Sequence, residues 1–400
     1  MATHHGMTRR GFVKTVGSAP ALSFLRQGLG PRIVVVGAGA FGGWTAWHLL
    51  RAGAEVTLVD PWGGGHSRAS SGGDSRVIRG MYGADSIYPR LVARSHELWG
   101  EAERRWSTKI YHRTGGLWMF GEDDSFARSA APHMKANGLP LERVSLRELE
   151  ERFPAVRADG VVSAYYEPRA GYLLARRACR LVQEEFTRAH GTFVLGEASP
   201  GPIASERMRS ITLSDGSTLE ADSFVFACGP WLGALFPEVI GDRVRPTRQE
   251  IFYFGVPASR AKAYQGLPVW ADFAERLFYG VPGSEGRGFK VADDTHGAVV
   301  DPTTMDRTPS AAGIRNAREL LARRFPELVD APLVEARVCQ YENSPDGHYI
   351  FDRHPEASNV WFLGGGSGHG FKLCPALGEY VSERVVGKAP LDPVFRLERI

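Results

Sequence analysis

Cysteine is scarce, with four residues, Cys179, Cys228, Cys339 and Cys374, in a chain of 400. None forms a CxxC pair and none stands at metal-ligand spacing from a histidine, which argues against a disulfide framework and against zinc. An apolar run long enough to cross a bilayer is also missing, so integral membrane association is not expected. Net charge is small: 48 basic residues against 45 acidic ones leave +3, spread evenly, too little to point to a nucleic-acid partner. No internal repeat or low-complexity linker interrupts the chain. Glycine, in contrast, is abundant, with 47 residues clustered at 37–43, 63–73 and 364–370. Such clusters suggest backbone approaching a ligand. At 400 residues the chain exceeds what one core usually organises, so two packed domains are expected.

The N-terminus carries a separate signal. Thr8-Arg9-Arg10-Gly11-Phe12-Val13-Lys14 resembles a twin-arginine leader, which exports folded, cofactor-loaded proteins. The apolar stretch after it is short, contains Pro20 and lacks a clear small-residue cleavage site, so a basic tail on a cytoplasmic protein is the alternative. Residues 1–30 are set aside from the fold on either reading.

The β-branched run Arg32 to Val36 reads as a buried parallel strand, followed by a glycine turn, a helix to Arg51 and a second strand from Ala54 to Asp60. This is a βαβ unit. Apolar residues at helical spacing mark a helix from Ile87 to Trp106, and Ser145 with Glu148 reads as a capping box. A strand at Val161–Tyr166, a helix at Leu173–Ala189, a hairpin over Ile211–Leu219 and a buried strand at Ser223–Cys228 follow. From Gln249 to Val291, alternating aromatic and small residues suggest an antiparallel sheet, with Leu277–Val281 beside Gly288–Ala292. A helix at Gly313–Phe325, a strand at Val360–Leu363, the glycine loop 364–370 and a helix at Pro375–Val386 close the chain. The order predicts an α/β, Rossmann-like nucleotide-binding domain (31–112, 160–245 and 336–400) with an inserted antiparallel-sheet, α+β substrate domain (113–159 and 246–335).

Gly37, Gly39 and Gly42 stand between strand and helix as a dinucleotide fingerprint requires, with Phe41 in the same turn. The helix N-terminus that follows offers free N–H groups to phosphates. Asp60 ends the next strand, where a carboxylate takes ribose hydroxyls. The fingerprint alone does not separate NAD from FAD. The strand ending at Gly229-Pro230-Trp231 and the C-terminal strand, glycine loop and helix exceed what a plain NAD domain needs.

Three segments carry a resemblance. Ser71-Gly72-Gly73-Asp74-Ser75-Arg76-Val77-Ile78-Arg79 with Met81-Tyr82-Gly83 resembles the flavin-edge segment of the monomeric sarcosine oxidase branch of D-amino-acid-oxidase-like flavoproteins. Cys339-Gln340-Tyr341 with Pro345 to Glu356, and Gly366 to Lys372, match further family segments. The resemblance runs from about Pro31 nearly to the C-terminus and implies FAD, carried covalently by Cys339 and enclosed in part by Gly229, Gly366, Gly368, Gly370 and Lys372. It implies that Lys290 activates oxygen, that Tyr279 is a substrate-side tyrosine, that Arg76 lies close to the flavin ring, and that Arg79 and Lys372 hold the substrate carboxylate. A fixed cation lowers the energy of anions forming from oxygen, and a guanidinium grips a carboxylate through two parallel hydrogen bonds.

Two departures stand out. Gly72 and Asp294 occupy positions where the family has histidines; the first is expected to create space, and the second either pairs with a cationic side chain of a larger substrate or is a loop residue. The expected function is an FAD-dependent oxidase that takes a hydride from the carbon beside the nitrogen of an amino acid or secondary amine acid and gives hydrogen peroxide. The partners are therefore a small amine or amino acid and molecular oxygen, with a monomer expected. A dehydrogenase of the same fold passing electrons to a quinone or protein, and a flavin-binding protein without turnover, are the alternatives.

Overall fold

The computed structural model describes residues 30–400, so the twin-arginine-like segment lies outside the described residues. The strand Arg32–Val36 pairs in parallel with Glu55–Asp60 on one side and Ser223–Phe226 on the other, which is why its Val-Val-Val run is apolar without alternation. The full sheet has six strands in the order Ile350–His354, Ala357–Gly364, Ser223–Phe226, Arg32–Val36, Glu55–Asp60 and Thr192–Leu195. Only Ile350–His354 is antiparallel to its neighbour. The helices Ala40–Arg51 and Cys374–Val385 pack together against this sheet, and both rise from glycine turns.

A second sheet of eight strands runs in the order Leu333–Asn343, Arg245–Phe254, Phe289–Asp293, Phe278–Val281, Val269–Asp272, Gly116–Phe120, Ser163–Glu167 and Glu142–Val144. It is antiparallel except where Val269–Asp272 meets Gly116–Phe120. Its own core gathers Trp270, Phe289 and Phe325 beneath the helix Ala311–Arg324. Three strands of this sheet reach beyond the stretches assigned to it from the sequence: Ser163–Glu167 falls within 160–245, Arg245–Phe254 begins at the last residue of that stretch, and Leu333–Asn343 crosses position 336. The reason is that strand pattern reports burial and says nothing about which sheet a strand joins.

A small sheet of Ser75–Ile78, Gly171–Leu174 and Tyr111–His112 joins the two layers. The predicted helix from Leu173 begins only at Ala175, because Leu173 and Leu174 pair with Arg76 and Ser75 while the Ala175 N–H donates to the Asp74 carbonyl. The helix Ile87–Trp106 and the Ser145–Glu148 capping box are present as predicted.

In the second domain Arg324, 1% exposed, donates Nε–H to Oδ2 of fully buried Asp272 at 2.7 Å and further N–H groups to the carbonyls of Arg157 and Asp159. Asp272→Ala would strand a buried guanidinium and is expected to cost about 3–5 kcal/mol. Chemical denaturation followed by circular dichroism should show this as a lowered midpoint, whereas an unchanged midpoint would mean that the pair is dispensable.

Candidate active site

A cavity of about 440 Å³ lies beside the first sheet, with Tyr341 and Glu342 of the second sheet and Thr303 also on its wall. Its wall includes Gly37, Gly39, Ala40 and Phe41 of the N-terminal turn as well as Arg76 and Tyr341. The N-terminal turn is built for close approach. Gly37 has φ +106°, and a Cβ there would lie 2.3 Å from the Ala227 carbonyl oxygen. Gly42 does not line the cavity; it lets helix meet strand, since its Cβ would stand 1.8 Å from the Gly37 carbonyl oxygen. Gly39 caps the helix with no side-chain partner and no acidic residue follows in the first turn, so the helix N-terminus presents unmatched N–H donors to the cavity. Asp60 is more engaged than the sequence suggested. Its Oδ2 accepts from Ala38 N–H at 2.8 Å, and Oδ1 accepts from Trp62 and Gly63 N–H at 2.8 and 2.7 Å. Those bonds use most of its acceptor capacity and tie the turn to the strand end.

The C-terminal glycine loop closes on this turn. Gly366, Gly368 and Gly370 line the cavity together with Gly229, and Phe41 packs against Gly370. A dinucleotide bearing a large planar ring fits these features: a backbone cradle with free donors, two glycine turns on one cavity wall, and the Arg76 cation on the same wall.

Arg76 donates to the carbonyls of Ser75 at 2.9 Å and Ser70 at 2.6 Å and, among the described residues, forms no ion pair with a carboxylate. Lys290, 1% exposed, donates Nζ–H to the same Ser75 carbonyl at 2.9 Å and sits 5.7 Å from the Tyr279 ring centre. Burial, reinforced by Arg76, pulls the Lys290 pKa down to about 7. Cys339 is buried among Ile251, Tyr253 and Ala292, with Tyr279 packed against the group; burial raises its thiol pKa, while Arg76 and Lys290 oppose that rise.

Arg79 and Lys372 meet across Tyr82. The Arg79 guanidinium lies 4.6 Å from that ring centre and donates to the Met81 carbonyl. Buried Lys372 donates to the Tyr82 hydroxyl at 3.2 Å and to the His369 carbonyl at 2.9 Å. Burial, then Arg79, drives the Lys372 pKa well down. His369 is held neutral, its pKa near 3 through burial; Nε2 faces the Gly347 carbonyl at 2.9 Å and Nδ1 the Tyr349 hydroxyl at 3.0 Å.

Asp294 is no idle loop residue. The Tyr341 hydroxyl donates to its Oδ1 at 2.7 Å and lies 3.3 Å from the Tyr279 hydroxyl, giving a chain Tyr279–Tyr341–Asp294. Burial raises the Asp294 pKa, with Arg79 and Lys372 among the charges opposing the rise. The space expected at Gly72 is absent: a Cβ there would lie 2.1 Å from the His66 carbonyl oxygen, and the Gly72 carbonyl accepts two N–H bonds from Arg176. That glycine serves its own turn.

The profile of the FAD dependent oxidoreductase family, DAO, matches residues 32–384. The chain belongs to this family. Among curated relatives, monomeric sarcosine oxidase of Arthrobacter sp. (strain TE1826) is 30% identical over 379 residues, covering 92% of this chain and 96% of the relative. N-methyl-L-tryptophan oxidase of Salmonella agona is 28% identical, covering 92% and 98%. Among solved structures, L-proline dehydrogenase from P. horikoshii superposes with a TM-score of 0.80 at 21% identity, covering 92% of this chain and 97% of that one, a likeness of fold. The resemblance to the sarcosine oxidase branch therefore stands, and with it the FAD.

Sequence reasoning gave this FAD oxidoreductase no role for two buried acids at its site. Glu167, fully buried, accepts from Gly80 N–H at 2.6 Å and Trp118 Nε1–H at 3.2 Å. Burial raises its pKa to about 7, and Arg79 and Lys372 act against that rise. Its only signal was a strand-end acid before Pro168, a pattern many loops share. The other is Glu342, which falls between the segments Cys339–Tyr341 and Pro345–Glu356 and is unmarked by any spacing.

Proposed function

We propose that the chain is an FAD-dependent oxidase of amino acids or secondary amine acids. It takes a hydride from the carbon beside nitrogen, giving an imine that water converts to a carbonyl compound and an amine or ammonia, while oxygen becomes hydrogen peroxide. The observation that carries this reading is the clustering of Arg79 and Lys372 on Tyr82 within electrostatic reach of Asp294, next to Arg76 and buried Lys290. A bound flavin supplies two-electron acceptance, which no side chain here offers.

Arg79 and Lys372 receive the substrate carboxylate and so fix which hydrogen faces the acceptor. Asp294, steadied by Tyr341, is the carboxyl placed to meet a cationic nitrogen of the substrate. An ammonium has no lone pair to support departure of hydride, so the amine must first lose a proton, and a carboxyl raised by burial is suited to take it. Lys290 offers the buried cation for oxygen reduction. Cys339 carries the cofactor covalently: it lies two residues from cavity-lining Tyr341, and Arg76 and Lys290 favour its thiolate. The names of the sarcosine and N-methyl-L-tryptophan oxidases support N-alkylated amino acids as the substrate class.

The test is a panel of sarcosine, larger N-methyl amino acids, lysine and arginine read by peroxide release, followed by acid precipitation. Peroxide from amino acids, with yellow colour remaining on precipitated wild type but released from Cys339→Ala, is expected. Sarcosine as best substrate with the basic amino acids inert would remove a cation-pairing role for Asp294 on substrate side chains. Reduction by substrate without peroxide would replace the oxidase by a dehydrogenase.

A further inference from the structure

Glu342 lines the same cavity yet has no task in the chemistry above. It is 8% exposed. Oε1 accepts from Gly366 N–H at a long 3.3 Å, and Oε2 is buried with no hydrogen-bond partner. Among the described residues no lysine, arginine or histidine forms an ion pair with it. Burial raises its pKa to about 7, with only the Gly366 N–H acting against it. Two glycines flank the carboxyl: a Cβ on Gly229 would lie 3.2 Å from Oε2, and one on Gly366 2.8 Å from Oε1. A buried carboxyl oxygen without a donor is costly, and such groups persist where something else completes them.

We infer that the Glu342 carboxyl accepts hydrogen bonds from the hydroxyl-bearing chain that joins the flavin ring to the pyrophosphate, an inference that rests on the FAD reading above. For the ionised carboxyl the partner must be a donor. Phosphate is excluded by charge, and its place is at the free N–H groups following Gly39. Glu342 shares the surroundings of Gly366 with Phe41 of that turn, while its neighbour Tyr341 turns towards Asp294 and Tyr279. Glu342 is thus flanked by the phosphate-binding turn, through Gly366 and Phe41, and by the reactive groups, through Tyr341, where a polyol would link ring to phosphate. A ligand hydroxyl supplies the missing donor and leaves the carboxylate satisfied.

The experiment uses the full-length chain carrying Cys339→Ala, so that binding stays reversible, freed of flavin and titrated by fluorescence quenching. The probes are FAD and an FAD whose ribityl hydroxyls are replaced by hydrogen. Glu342→Leu is expected to weaken FAD binding by about tenfold or more, since a hydrogen bond to a charged group is lost. Glu342→Gln, which keeps an acceptor oxygen, should lose less, and the deoxy analogue should bind equally well with and without the Glu342→Leu change. FAD bound as tightly or more tightly by Glu342→Leu overturns the inference and leaves the oxidase reading intact. Unaltered discrimination between FAD and the analogue in that variant also overturns it, assigning the carboxyl to another donor such as the ring N–H. Should Glu342→Leu fail to fold by circular dichroism, the form that retains Glu342 decides: equal affinity for both flavins overturns the inference. Failure of every form to take up flavin would overturn both readings.

Discussion

Lys290→Met should slow the reaction of the reduced enzyme with oxygen by about 10²–10³-fold, the scale on which removing one preorganised charge-stabilising group acts. Anaerobic reduction by substrate should change little, because Lys290 spends its hydrogen bond on the Ser75 carbonyl and, among the described residues, makes none with Arg79, Tyr82 or Lys372. Stopped-flow mixing separates the two half-reactions, and equal slowing of both would assign Lys290 to structure or substrate binding. The pH dependence has a definite sign. Burial and Arg76 depress the lysine to about 7, so its cationic form is complete only below that pH. Cation-assisted oxygen reduction in the wild type should therefore decline as pH rises through about 7, and Lys290→Met should lack this decline.

Arg79→Met should raise KM for amino-acid substrates by about 30–100-fold, the equivalent of losing a charge-assisted contact of about 2–3 kcal/mol. Lys372→Met should act in the same direction. An amine lacking a carboxylate should be almost indifferent to either change, which distinguishes carboxylate binding from general damage. Arg79→Lys should recover only part of the loss, because an ammonium cannot reproduce two parallel hydrogen bonds. A uniform fall in activity on both kinds of substrate would instead mean that Arg79 holds the backbone through its bond to the Met81 carbonyl.

What could be read from the sequence follows from how local each signal is. The βαβ unit was legible because β-branched run, glycine spacing and strand-end acid all lie within Arg32 to Asp60. Helix Ile87–Trp106 was legible through its amphipathic period. The strand Ser75–Ile78 was not, since its pairing partner Gly171–Leu174 lies about a hundred residues away and carries no pattern to announce it. The same distance hid the site's internal wiring. Lys290 and Arg76 could be named from resemblance, but only folding brings both to the Ser75 carbonyl. Asp294 could be flagged as a departure, whereas its bond to Tyr341 required the sheet. At Gly72 the loss of a side chain suggested room, and the packed His66 carbonyl removes it. Asp60 shows the limit of a motif read by position, for its carboxylate is largely taken by three backbone donors.

The most direct test of the account is the visible spectrum of the purified chain, recorded without oxygen before and after adding an amino-acid substrate. A flavin spectrum of about one cofactor per chain that bleaches on addition, and returns with peroxide when air enters, is the predicted result. A chain that stays colourless when supplied with FAD, or a yellow one whose colour no amino acid or amine discharges, would contradict it.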